Sequence, residues 1–241
     1  MPSRSDMKLT VPSLAFVRPL LPTLVAEPPA GDGWLHEIKH DGNRTMLVVD
    51  GGGVRAFTRN GHDWTERYSR VVECAAALPC WSAIVDGEMV VQDERGLSDF
   101  PALRRAMHRE PHRLVFFAFD LLHLDGADLR GRPLIERRAL LRELVGASDP
   151  ACPIQFSEAL AGDGSAIFAA ADRMGLEGTV SKKAMSNYRS GSSTVWLKTK
   201  CMTEGEFVVV GTERNRAARP SRYWRAKRRT GWPMPAALLS R

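Results

Sequence analysis

Short apolar runs separated by glycine-bearing turns mark the ordered part of this chain. Runs at 34–40, 45–49 and 54–58 are strand-like, and Asp41-Gly42-Asn43 and Asp50-Gly51-Gly52-Gly53 lie between them. That arrangement predicts adjacent antiparallel strands. Runs at 84–91 and 114–122 are rich in branched or aromatic residues and predict two more. Helical spacing appears at 98–107, 133–145 and 165–174, the last ended by Gly175. In the second of these, Leu134, Leu141, Leu144 and Val145 mark one face, and Glu136, Arg137 and Arg138 are assigned to another. Strand-like runs return at 178–183, 195–200 and 206–212. Strands in hairpin order with helices inserted predict an α+β domain with antiparallel sheets and flanking helices. Residues 1–33 read as a lead-in rich in proline and glycine, and 219–241 shows no strand alternation.

Composition sharpens the picture at the two ends. With 241 residues the chain can bury one large core, or one core plus a small appendage. No apolar run is long enough to span a bilayer, and Met1 to Thr10 has no secretory character, so a cytoplasmic protein is expected. The four cysteines form no C-x-x-C pair and read as reduced structural thiols rather than a zinc site or a disulfide framework. The net charge of +6 is uneven: residues 214–241 hold nine Lys/Arg and no Asp/Glu, which leaves −3 on residues 1–213. A basic tail suits nucleic-acid contact and equally suits a solvated extension.

Five clusters carry candidate chemistry. In Glu37-Ile38-Lys39-His40-Asp41-Gly42-Asn43-Arg44, strand periodicity puts Glu37 and Lys39 on one side. A lysine nucleophile there must lose its proton, which neighbouring cations or burial would favour. Asp86-Gly87-Glu88 interrupts an apolar strand, where a buried Glu88 needs a metal, a sugar hydroxyl or a cation. Phe116-Phe117-Ala118-Phe119-Asp120 pairs an aromatic able to stack on a base with a carboxylate. Glu177-Gly178-Thr179-Val180-Ser181-Lys182 follows, and then Lys198-Thr199-Lys200, whose two ammonium groups would share a phosphate. Taken singly, these also suit a solvated hairpin, a core strand or a basic edge strand.

Taken in order, Lys-x-Asp-Gly-x-Arg, Asp-Gly-Glu, Phe-Asp, Glu-Gly-x-Val-x-Lys and Lys-x-Lys resemble the motif set of the covalent nucleotidyltransferases. Within that superfamily, Pro28-Pro29, Gly33-Trp34, the run from Phe119 to Gly126 and Tyr188-Arg189-Ser190-Gly191 look like the bacterial ligase D type of ATP-dependent DNA ligase. The resemblance covers roughly residues 14–213 and implies an adenylation domain at 34–200. It also implies a truncated or incomplete oligonucleotide-binding (OB) segment with a basic tail at 201–241. Lys39 is implied as the nucleophile that takes AMP from ATP. Glu37, with Ile38 beside it, is implied at the adenine edge, Arg44 and Arg59 at the ribose and the DNA 5′-phosphate, Glu88 at the ribose or metal, and Phe119 on the adenine face. Glu177 is implied at a divalent metal, Mg²⁺ or Mn²⁺, and Lys182, Lys198 and Lys200 at the phosphates. The implied partner is nicked or broken double-stranded DNA in non-homologous end joining, with a Ku-type end-binding protein as a candidate recruiter. No membrane is involved, a monomer is the default, and the setting is the bacterial cytoplasm near the nucleoid. Two alternatives stand beside this reading: a degenerate, non-catalytic DNA-binding relic, and an RNA ligase or capping-type nucleotidyltransferase.

Overall fold

The computed structural model describes residues 13–146, 152–160, 162–201, 207–213 and 221–226, the last two segments as backbone only. Along the chain these form β1 (Leu20–Leu24), β2 (Trp34–Ile38), β3 (Asn43–Asp50), β4 (Gly53–Thr58), α1 (Ser69–Ala76), β5 (Ala83–Val90) and α2 (Phe100–Arg109). Then follow β6 (Val115–Leu124), β7 (Ala127–Asp128), α3 (Leu134–Val145), β8 (Ile154–Phe156), β9 (Ala159–Leu160) and α4 (Gly164–Arg173). β10 (Gly178–Lys183), β11 (Gly191–Lys200), β12 (Phe207–Glu213) and β13 (Ser221–Ala226) complete the described elements. Two compact units result, divided between Cys201 and Met202.

The larger unit holds two sheets. The first has the order β1-β11-β10-β2-β9, the second β4-β3-β5-β6-β7, with β8 added beside β6. Pairing is antiparallel as expected, except that β1 runs parallel to β11 and β8 parallel to β6. Strand β3 explains its own unbroken apolar run. Leu47 and Val49 enter a core shared with α1, α2 and α3, whereas Met46 and Val48 enter a second core shared with the first sheet. Both faces of that strand are buried, so period two selects between two cores rather than between core and water. Leu20 of β1 and Trp196 of β11 meet Met46, Ile84 and Phe119 of the second sheet in the second core. This face-to-face packing of two sheets leaves a cleft at one edge of the seam.

Several expectations are corrected. The lead-in is not wholly irregular, because Leu20–Leu24 is a strand of the first sheet. The helix Ser69–Ala76, with Val71 and Ala75 on its buried face, is an element that the expected set lacks. In the smaller unit, Ser221–Ala226 pairs with Phe207–Glu213 as an antiparallel hairpin, although no strand is expected beyond residue 219 from its alternation. The remainder of the basic tail and the start of the run at 206–212 lie outside the described residues. All four thiols are free, with the Cys74 and Cys152 sulfurs 2.9 Å apart.

The assignment of Arg137 and Arg138 to a polar face is also overturned. Both are buried in α3. Residues 134, 137, 138, 141, 144 and 145 fall at the spacing of a single helical stripe, so both arginines project with the leucines. Arg137 satisfies its charge internally. Its guanidinium donates to both oxygens of Asp120 at 2.8 and 2.7 Å and to the carbonyls of Arg132 and Ser186. Arg137 and Asp120 are both fully buried. Removing one partner leaves the other charged in the core. Arg137→Ala is therefore expected to cost about 3–5 kcal/mol in chemical denaturation, with Asp120→Leu/Arg137→Met losing less than either single change.

Candidate active site

Strand β2 delivers Glu37 and Ile38 to the cleft, and Lys39 follows immediately, its N–H donating to the Gly178 carbonyl at 3.0 Å. That tie puts the end of β2 beside the start of β10. It also explains Gly178, where a Cβ would sit 2.0 Å from the Thr199 carbonyl at a φ of +144°. Gly42 has a similar cause, since a Cβ there would lie 2.2 Å from the Met89 carbonyl. These two motif glycines permit close backbone approach.

The cleft encloses about 470 Å³. Lining it together are Glu37, Ile38, Lys39, Arg44, Arg59, Glu88, Phe119, Lys182 and Lys198, nine of the expected site residues drawn from both sheets. Glu177 and Lys200 lie beside Lys39. The Lys39 amine donates to Glu177 Oε2 at 2.5 Å, and Lys200 Nζ is 3.1 Å from Oε1 of the same carboxylate. Thus Lys198 and Lys200 do not wait as a bare pair for one anion: Lys200 pairs with Glu177, while Lys198 faces the cleft. Burial pushes the Lys198 amine below its usual range, and the charges of Lys39, Lys200 and Arg59 push it further. An anion placed among these cations would relieve that repulsion.

At the inner end the side chains are more tightly held. Glu37 is 2% exposed, and its Oε1 lies 2.8 Å from both Arg138 Nη1 and Lys182 Nζ. Ser157 Oγ donates to Oε2 at 3.2 Å. Lys182 lies 4.2 Å from the ring centres of both Phe119 and Trp196. Burial pulls its amine down to about 8 despite the opposing pull of Glu37. Arg44 is clamped by Asp86 through two hydrogen bonds of 2.6 and 2.7 Å and lies 4.4 Å over Phe119. Burial works against its charge, but Asp86 outweighs that and holds the guanidinium above its usual range. Tyr188 completes this seam, its hydroxyl donating to Asp86 at 2.7 Å and accepting from the Leu20 N–H.

Glu88 is different. It makes no hydrogen bond or ion pair to a described residue, and burial pushes its carboxyl up to about 8, with Arg44 and Lys39 opposing and Asp86 and Glu177 adding to the rise. Burial, then Glu177, also raises Asp41. Among the described residues no group of three or more His, Cys, Asp or Glu side chains that could hold a metal ion forms, so phosphate and water oxygens would supply most of the ligands of a divalent ion.

Sequence reasoning missed Arg138, Ser157, Trp196, Tyr188 and His40 as site residues. His40 stacks on Phe117 at 4.0 Å, and burial lowers its imidazole to about 4. Arg138 had a readable signal, because it stands on the apolar stripe of α3. Ser157 and Tyr188 had none, since their roles depend on partners more than a hundred residues away.

A two-sheet domain whose cleft gathers a lysine amine, carboxylates and further cations has the form of a nucleotide-binding enzyme fold. The family model described as ATP dependent DNA ligase domain matches residues 23–200, and the chain belongs to that family. It is 42% identical over 201 residues to the multifunctional non-homologous end joining protein LigD of Pseudomonas aeruginosa, covering 83% of this chain and 24% of that protein. The chain thus spans about a quarter of the length of the LigD proteins it matches. Among solved structures, a mycobacterial DNA ligase D complexed with ATP and MES is similar, with a TM-score of 0.65 and 32% identity over 79% of this chain and 62% of that one. The ligase domain from Mycobacterium tuberculosis LigD gives a TM-score of 0.65 and 30% identity over 92% of this chain and 72% of that one. No helix among the described residues is long and apolar enough to cross a membrane.

The state of Glu88 generates a prediction. A carboxyl raised in the fold from 4.5 to about 8 stabilises while protonated, so its contribution is present below pH 4.5 and is lost as pH rises to about 8. Glu88→Gln is expected to melt higher than wild type at pH 8 and close to wild type at pH 4.5 in paired thermal scans without nucleotide or metal.

Proposed function

We propose that this chain is the catalytic domain of an ATP-dependent DNA ligase and that Lys39 carries AMP covalently. The observation that supports the reading best is the position of the Lys39 amine. It lies on the cleft wall, 2.5 Å from Glu177, with Lys198 beside it and the Glu37–Phe119 end further in. The adenine of ATP enters toward Glu37, Ile38 and Phe119, and the ribose lies by Arg44 and Glu88. The phosphates lie toward Lys198 and Arg59, where the cations already repel one another; Lys200 is paired with Glu177, and Lys182 stays with Glu37 at the inner end. Lys39 Nζ attacks the α-phosphorus; an N–P bond forms, a P–O bond breaks, and pyrophosphate leaves. For attack the amine must give up its proton, and Glu177 is the acceptor in reach. Positioning and charge neutralisation supply most of the rate in such a transfer. A divalent cation, Mg²⁺ or Mn²⁺, would be held by Glu88 and Glu177 and would neutralise phosphate charge. The two carboxylates fit that role because Glu88 makes no ion pair with a described residue and its charging is further opposed by Glu177.

The later steps pass AMP to a DNA 5′-phosphate and seal the nick with the 3′-hydroxyl, in keeping with the DNA ligase family of this chain and with its end-joining LigD relatives. On this reading, 34–200 is the adenylation core, and the hairpin of Phe207–Glu213 and Ser221–Ala226 opens an OB-type segment. The basic residues from 214 onward are suited to DNA phosphates. The partner is nicked or broken duplex DNA, with a Ku-type protein as recruiter, and the chain acts as a monomer in the bacterial cytoplasm near the nucleoid.

The test is incubation of the whole chain with α-labelled ATP and Mg²⁺ or Mn²⁺, followed by denaturing gels. Wild type is expected to retain label and Lys39→Ala to retain none. Label persisting on the variant would remove Lys39 from the mechanism, and preferential labelling by GTP would favour the capping-type alternative.

A further inference from the structure

The inner wall of the cleft depends on a residue outside the five motifs. Arg138 is 5% exposed, and its guanidinium joins three stretches of chain. Nη1 donates to Glu37 Oε1 at 2.8 Å and to the Phe119 carbonyl at 3.1 Å. Nη2 donates to the Ser157 carbonyl at 2.7 Å, and the guanidinium carbon lies 4.6 Å from the centre of the Phe156 ring. Glu37 belongs to the first sheet and Phe119 to the second. Arg138 therefore fixes both the spacing of the sheets at this end and the direction of the Glu37 carboxylate.

That direction has a chemical consequence. A carboxylate offers about four acceptor positions. Arg138 donates to Oε1, Lys182 is ion-paired to the same oxygen, and Ser157 Oγ takes one position on Oε2. One acceptor position on Oε2 is left. The donors of Arg138 and Ser157 and the ammonium of Lys182 all face this carboxylate, so it is set as an acceptor of hydrogen bonds. Adenine carries an amino donor at C6, whereas guanine carries a carbonyl acceptor there. An acceptor fixed at this wall matches the first and repels the second, and a site that demands a donor rejects an analogue lacking it.

We infer that Arg138 is a positioning residue for base selection: by holding Glu37 as a directed acceptor at a set distance from Phe119, it makes the cleft take a 6-amino purine and refuse a 6-oxo purine. The inference rests on the proposed adenylation at Lys39 and adds the residue that sets its base preference. Lys182 supplies the second cation but has no hydrogen bond to a second backbone segment, so the geometric role falls to Arg138.

The test compares self-labelling of the whole chain with α-labelled ATP and with α-labelled GTP, measuring rate against nucleotide concentration. Arg138→Ala is expected to raise the KM for ATP and to lower the ATP:GTP preference by about tenfold or more, the factor one charge-assisted hydrogen bond is worth. The saturating rate with ATP should fall much less than the preference. Arg138→Lys should recover part of the preference, since it restores the charge but not the fork. Because Arg138 is buried, Ser157→Ala provides an independent measure. It removes one donor to Glu37 at little structural cost and should lower the preference by roughly twofold to threefold. Folded Arg138 variants with the wild-type ATP:GTP preference would overturn the inference. If Arg138→Ala does not fold, an unchanged preference in Ser157→Ala would overturn it. Wild type that takes no label from ATP would overturn the adenylation reading as well, a result distinct from normal labelling with an unaltered preference in the variants.

Discussion

The Glu37 carboxylate is buried where two sheets meet, and the geometry of the cleft follows from how it is neutralised. An uncompensated carboxylate there would be far too costly to keep ionised. Two cations answer it from different elements, Arg138 from α3 and Lys182 from β10. Each in turn requires its own surroundings. Lys182 rests against the rings of Phe119 and Trp196, and Arg138 takes the carbonyls of Phe119 and Ser157. Neutralising one charge therefore ties together six chain segments and the inner wall of the pocket.

A second polar tie works in the same way around Arg44. Asp86 receives both arms of Arg44 and the hydroxyl of Tyr188, and that hydroxyl also accepts from Leu20. Arg44 is thus set over Phe119 as a rigid cation with little rotamer freedom left to lose when a ligand arrives. The outer part of the cleft is less committed. Lys198 has its amine lowered by burial and by neighbouring charges, and Glu88 has its carboxyl raised. A rigid, compensated inner end and an electrostatically unsatisfied outer end suit a ligand whose base is fixed and whose phosphates bring the missing charge.

The glycines and arginines show how local pattern and global packing divide the work. Gly42 and Gly178 stand in the motifs because neighbouring carbonyls leave no room for a Cβ. The two arginines of α3 sit on the same stripe as its leucines, since helical spacing takes no account of charge. Burial then obliges each to find an acid, and Asp120 and Glu37 are those acids. A buried pair of this type stabilises little by itself, yet the loss of one partner costs much.

The order and spacing of short motifs, read without any structure, located the strands that carry Lys39, Arg44, Glu88, Phe119, Lys182 and Lys198, and these residues do share one cleft. Period-two and helical patterns suffice for this, because they are properties of neighbouring residues. Tertiary structure decided what those patterns cannot express. It determined that Leu20–Leu24 pairs in parallel with a strand some 170 residues later. It also determined that Lys200 serves Glu177 instead of sharing an anion with Lys198, and that Arg138 and Ser157 hold the carboxylate of Glu37. The physical reason is that a buried charge is satisfied by whichever partner folding brings within about 3 Å, and separation along the chain carries no record of that distance.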